Sequence, residues 1–106
     1  MTTNAAGVTV VITYQAQPGR GEKARDELAS LIATVVSLEP DCHGIRLLQD
    51  SADPDRILLI EEWTSQEAFT GPHMQTPHLQ AFMQRGPEFL AGPPELTFWS
   101  EFVAVP

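Results

Sequence analysis

The chain has one cysteine, one tyrosine and six lysines and arginines in all. A lone cysteine excludes an internal disulfide and any metal site built from several thiolates. Cys42 is expected as a small, buried and chemically inert side chain. Six basic residues against fourteen acidic ones give a net charge of −8. That excess repels a phosphate backbone, and no Lys/Arg cluster offsets it locally, so nucleic acid is excluded as a partner. No apolar run approaches the roughly 20 residues of a membrane span, so no membrane partner is expected. "MTTNAAG" lacks the basic and apolar segments of a secretory signal, which makes the cytoplasm the expected location.

What is present is the composition of a globular domain, 42% hydrophobic and 19% charged over 106 residues. A chain of this length buries roughly two thirds of the surface that its unfolded form exposes. Residues 1–106 read as one domain with an ordered core over about 8–104.

"VTVVITYQAQ", residues 8 to 17, is rich in β-branched side chains and reads as a strand ended by Pro18 and Gly19. From Gly21 to Leu38, Ala24, Leu28, Leu31, Ile32, Val35 and Leu38 recur at steps of three and four, the stripe of a helix. Pro40 and Asp41 break the chain before a second strand over 43–50, a turn at "SADPD", and a third strand over 56–63. Thr64 and Glu67 match the spacing of a capping box, with Trp63 and Ala68 at the flanking staple positions. Gly71-Pro72 halts the helix that starts there. Thr76-Pro77 opens a second piece that carries Leu79, Phe82 and Met83 inward and ends near Gly86-Pro87. "ELTFWSEFVAV" is a fourth strand. The order β-α-β-β-α-β is ferredoxin-like, an α+β arrangement of a four-stranded antiparallel sheet with helices on one face.

Two helices cover only one face of such a sheet. Yet Val8, Val10, Ile12 and Tyr14 share one face of the first strand, with Val11 on the other. Leu58 and Ile60 lie opposite Ile57, Leu59 and Trp63 in the third. In the fourth, Leu96, Phe98 and Phe102 lie opposite Trp99, Val103 and Val105. The uncovered apolar area predicts a homodimer stacked through its sheet faces. Arg46, Glu62 and Glu101 fall on faces that such a dimer would dry, which predicts a bridge from Arg46 to a carboxylate.

"EEWTSQEAF" followed by "TPHLQAF", after the strand in "LEPDCHGIRLLQD", resembles the antibiotic biosynthesis monooxygenase (ABM) domain family, and most of all its small YgiN-type quinol monooxygenases. The resemblance runs from Val8 to about Phe102. It implies a dimeric α+β barrel, in agreement with the argument from the sheet faces. It also implies oxygenation of a dihydroxyaromatic, quinol- or anthrone-like, by O2 with no metal, flavin or haem cofactor. An electron-rich phenolate can pass one electron to triplet O2, and the radical pair can recombine. The protein then supplies a dry apolar pocket and a partner for the phenol.

On this resemblance Trp63, His73 and His78 are the catalytic candidates. The Trp63 indole N–H would donate beside an aromatic substrate, or else Trp63 only staples the helix entry. His73 and His78 are the candidate bases, since histidine titrates near neutrality. They stand five apart with Pro77 between them and are not expected on one helix face. His78 also reads as a solvent-facing residue of the helix start. His43 is a third, weaker base, and the spacing of His43, His73 and His78 gives no support for zinc. Phe69, Phe82, Tyr14 and Leu59 are expected to line the substrate pocket, with Phe69 also readable as plain core. Haem-degrading relatives share the barrel but place an asparagine on the first strand. Here residues 8 to 14 have none, and Asn4 precedes the strand. A non-catalytic small-molecule-binding or regulatory barrel is the alternative from a different class, because a fold fixes no function.

Overall fold

The computed structural model describes residues 7–106, so Asn4 and most of "MTTNAAG" lie outside the described residues. Strand β1 (Val8–Gln15) leads into helix α1 (Gly21–Leu38). Strands β2 (Cys42–Gln49) and β3 (Arg56–Trp63) form a hairpin. Two short helices follow, α2 (Gln66–Thr70) and α3 (Pro77–Arg85), separated by a single 3-10 turn over Pro72–Gln75, and then strand β4 (Glu95–Trp99). The sheet has the order β2-β3-β1-β4 with every pairing antiparallel. This is the ferredoxin-like arrangement that the element order predicts.

β-branched residues suit a half-buried pleat, and β1 alternates accordingly. Val8, Val10, Ile12 and Tyr14 are buried against the helices, while Thr9, Val11 and Thr13 face outward, half-buried. Register carries the pattern across the sheet. Ile12 stands between Leu59 and Leu96, and Val10 between Glu61 and Phe98. From α1, Ala24, Leu28 and Val35 are buried over this face. Leu38, expected on the inward stripe, is instead 65% exposed because the helix ends at its position.

Two further expectations are corrected. The N-cap of α2 is Ser65, whose Oγ accepts from the Ala68 N–H at 3.1 Å. The Thr64 hydroxyl is turned away from that helix and bonds to the Asp41 carbonyl and the His43 ring. The fourth strand stops at Trp99, six residues short of the end of the run read as strand. Phe102, Val103 and Val105 are exposed and pair with nothing among the described residues. The bridge expected of Arg46 concerns a stacked dimer; in the single chain Arg46 is exposed and forms no ion pair with a described residue. Glu62 accepts from the Thr9 hydroxyl at 2.8 Å instead.

The start of α1 is held by the β2–β3 turn. Asp55 accepts from the Gly19 N–H at 3.0 Å and the Gly21 N–H at 2.9 Å. A Cβ at Gly21 would collide with the Pro54 carbonyl group, which belongs to the backbone and cannot swing aside. Gly21→Ala is therefore expected to destabilise the fold by about 1–3 kcal/mol, as overpacked sites do. A urea midpoint equal to that of the unsubstituted protein would remove this account.

Candidate functional site

The space between the helices and the sheet holds a pocket of about 660 Å³. Its floor is Ile12, Tyr14, Leu59 and Glu61 from the two central strands, and its roof includes Leu31, Ile32 and Val35 of α1. Phe69, His73, Leu79 and Phe82 form the side wall. Tyr14, Leu59, Phe69, Phe82 and His73 all line this pocket.

His73 reaches the wall because the helix is broken. Gly71-Pro72 ends α2, the 3-10 turn takes over, and Pro77 starts α3 with its preset backbone angle. Thr76 precedes α3 as expected, but its hydroxyl donates back to the His73 carbonyl at 2.9 Å and caps nothing. The break folds His73 inward, 5% exposed, with its ring 4.6 Å from Trp63 and 4.9 Å from Phe69 between centroids.

One carboxylate gathers both histidines. Glu39, the C-cap of α1, receives His73 Nδ1 at 2.9 Å and His78 Nε2 at 2.6 Å. An ionised carboxylate only accepts, so the nitrogens that face Glu39 carry a hydrogen, and in the neutral ring form His73 is left with Nε2 as an acceptor. Five-residue spacing on one helix would separate the two rings, but the kink between them brings both to Glu39. His78 is consequently neither a free solvent-facing residue nor part of the pocket lining. His43 does not share that carboxylate. It is exposed and bonded to the Thr64 hydroxyl at 2.9 Å.

Trp63 differs most from expectation. It is 1% exposed, stands behind the lining rather than on it, and its Nε1–H donates to Glu61 Oε1 at 2.8 Å. An indole has one such hydrogen, so this geometry leaves none for a ligand.

Glu61 is the residue that the sequence reading missed. It is 4% exposed on the pocket floor, where burial raises its carboxyl from 4.5 to about 7. The Trp63 hydrogen bond offsets part of that rise, and the Glu39 charge adds to it. The signal was available, since Glu61 shares the period-two phase of Ile57, Leu59 and Trp63. Burial also pushes the Tyr14 hydroxyl upward, with Glu61 adding to the effect. Cys42 is buried and its thiol is pushed up to about 11, mainly by burial, which makes it a poor nucleophile. Among the described residues no cluster is placed to hold a metal ion, and no helix is long and apolar enough to cross a membrane.

The sequence profile of the antibiotic biosynthesis monooxygenase family matches residues 7–85, which contain all of these groups. The chain belongs to that family. This ABM chain is 27% identical over 78 residues to the uncharacterized protein sll1783 of Synechocystis, covering 71% of itself and 52% of that protein. It therefore spans about half the length of the curated relative it matches. The ABM fold recurs in solved structures. PA3566 of Pseudomonas aeruginosa superposes with a TM-score of 0.82 at 24% identity, over 96% of this chain and all of that one. Rv0793 of Mycobacterium tuberculosis gives 0.78 at 21%, over 94% and 99% of the two chains. SO0527 of Shewanella oneidensis gives 0.79 at 22%, over 92% and 93%.

The raised Glu61 carboxyl has a stability consequence. The folded protein keeps a proton there that the unfolded chain releases between pH 4.5 and about 7. This contribution is fully present below pH 4.5 and is lost as the pH rises through 7. Glu61→Gln, which keeps the size and an acceptor for Trp63, removes it. The stability of the variant relative to the parent is expected to rise by about 3 kcal/mol from pH ~4 to pH ~8. Parallel stability curves in urea would show that Glu61 does not titrate there.

Proposed function

We propose that this ABM chain is a cofactor-independent monooxygenase that oxidises a quinol- or anthrone-like dihydroxyaromatic with O2. The observation that carries the reading is the pocket, about 660 Å³ of largely apolar space with few polar groups on its walls, chiefly Glu61, His73, Tyr14 and Gln17. That volume lies within the range of sites that enclose small organic molecules. Family membership supports the reaction class, since the family includes monooxygenases.

The apolar walls favour a flat aromatic body and exclude water from a reactive intermediate. Phe69 and Phe82 offer ring faces and edges to it. His73, with Nδ1 tied to Glu39, offers Nε2 to a substrate hydroxyl. His78 acts through Glu39 in this reading, holding the carboxylate that orients His73, and Trp63 acts through Glu61. The phenolate is oxidised and O2 is reduced. One oxygen atom enters the ring and the other leaves as water, so a hydroquinone and O2 become a hydroxyquinone and water.

The working unit in this proposal is a homodimer stacked through the outer sheet face. Val11, Leu48, Leu58 and Ile60 are half-buried there, and Trp99 is 58% exposed. An apolar area of this kind is characteristic of an interface. Ile60→Glu places a charge in that area, and light scattering is expected to register a fall from two chains to one. A parent protein that already scatters as one chain would end the dimer proposal.

O2 consumption tests the activity. Metal-free protein with a menadiol-like hydroquinone or an anthrone is expected to take up O2 faster than the substrate alone. His73→Ala should lower the rate about 10²-fold, as misplacing a bound substrate does. Tight binding of the same compounds without uptake would identify a non-catalytic binding protein.

A further inference from the structure

Glu61 has two oxygens in different circumstances. Oε1 is fixed by the Trp63 indole N–H at 2.8 Å. Oε2 accepts no hydrogen bond from any described residue, yet no described side-chain oxygen is both sealed from its surroundings and unpartnered. Since Glu61 lines the pocket, its free oxygen meets the pocket space. An acceptor held rigidly in an apolar wall with no protein donor is matched by a donor on the ligand.

The charges around it define that donor. Tyr14 from β1, Cys42 from β2, Glu39 at the end of α1 and His73 from the 3-10 turn are the titratable groups that face Glu61 or act on it. No lysine or arginine lines the pocket. An anionic ligand would be repelled by Glu61 and Glu39, whereas a neutral hydroxyl is not. His73 has its Nδ1 committed to Glu39 at 2.9 Å and its ring packed against Trp63 and Phe69, so its part is to accept a hydrogen bond through Nε2 and orient the diol beside the Glu61 carboxyl.

We infer that Glu61 is the catalytic residue that takes the hydroxyl proton from a neutral aromatic diol in this pocket, with Trp63 as the residue that positions it. The inference rests on the reading above that such a diol is the substrate. The substrate O–H bond breaks and a carboxyl O–H bond forms on Oε2. The phenolate passes one electron to O2, and the ring radical and superoxide join in a new C–O bond. The proton on Glu61 then moves to the outer peroxide oxygen. Cleavage of the O–O bond with loss of the ring-carbon hydrogen releases water and leaves the hydroxyquinone. A carboxyl near 7 lies closer to a phenol's value of roughly 10 than an ordinary carboxylate does.

Proton transfer can be read without turnover. Under anaerobic conditions at about pH 8, where the carboxylate is ionised, 1,4-naphthohydroquinone bound to the parent protein should show the red-shifted absorption of its phenolate. Glu61→Gln should bind the probe without that band, and in air should lose O2 uptake by about 100-fold or more. Trp63→Phe removes a donor that favours the charged carboxylate. It should keep the band but move its onset, and the acid limb of the rate profile, to higher pH. A band of equal strength in the parent and in Glu61→Gln, or none in either, overturns the inference, as does an onset unmoved in Trp63→Phe. A Glu61-dependent band without O2 uptake in the parent would instead uphold the proton transfer and sink the monooxygenase reading.

Discussion

The arrangement of this pocket depends on one buried contact, the hydrogen bond between the Trp63 indole and Glu61. A carboxyl on the apolar face of a central strand is costly unless it is bonded or protonated. The structure meets that cost from the same strand, two residues on, where the side chain returns to the same face. The indole fixes one oxygen and thereby sets which way the other points. Its ring in turn supports Phe69 at 5.5 Å and His73 at 4.6 Å between centroids, so the floor and the side wall share a single pillar.

The second organising group is Glu39. It sits where α1 ends and β2 is about to begin, and receives a histidine from each side of the helix break. Proline and glycine supply the break, and Glu39 gives it a defined direction. Further along, Arg85 at the end of α3 bonds to Glu27 of α1, which Lys23 also bonds at 2.9 Å. The stretch from the 3-10 turn to the end of α3 is thus attached to Glu39 and to Glu27.

Element order, the antiparallel sheet and the burial of alternate β1 residues were legible because period-two and period-3.6 patterns are local. The same patterns together with the family resemblance point to Tyr14, Leu59, Phe69 and Phe82, which line the pocket. Other features depend on where two distant segments meet. Nothing near His73 or His78 in the chain announces Glu39, and the helix break that turns both histidines toward it has no periodicity. Glu61 was within reach, since it falls between Leu59 and Trp63 in the same period-two phase, which places a carboxyl on the core face. The fourth strand illustrates the opposite error. "SEFVAV" alternates like a strand, but a strand also needs a neighbour, and β1 pairs with β4 only as far as Trp99.

Five residues is well below the length at which a helix holds itself in water. The shape of α2 therefore comes from what it touches, chiefly Phe69 set against Trp63 and Phe98. The sheet beneath has its own ladders of backbone bonds and does not rely on α2 for them. Rearranging this part of the wall around an incoming molecule would cost a few side-chain contacts and one helical turn, while the platform that carries the carboxyl stays in register.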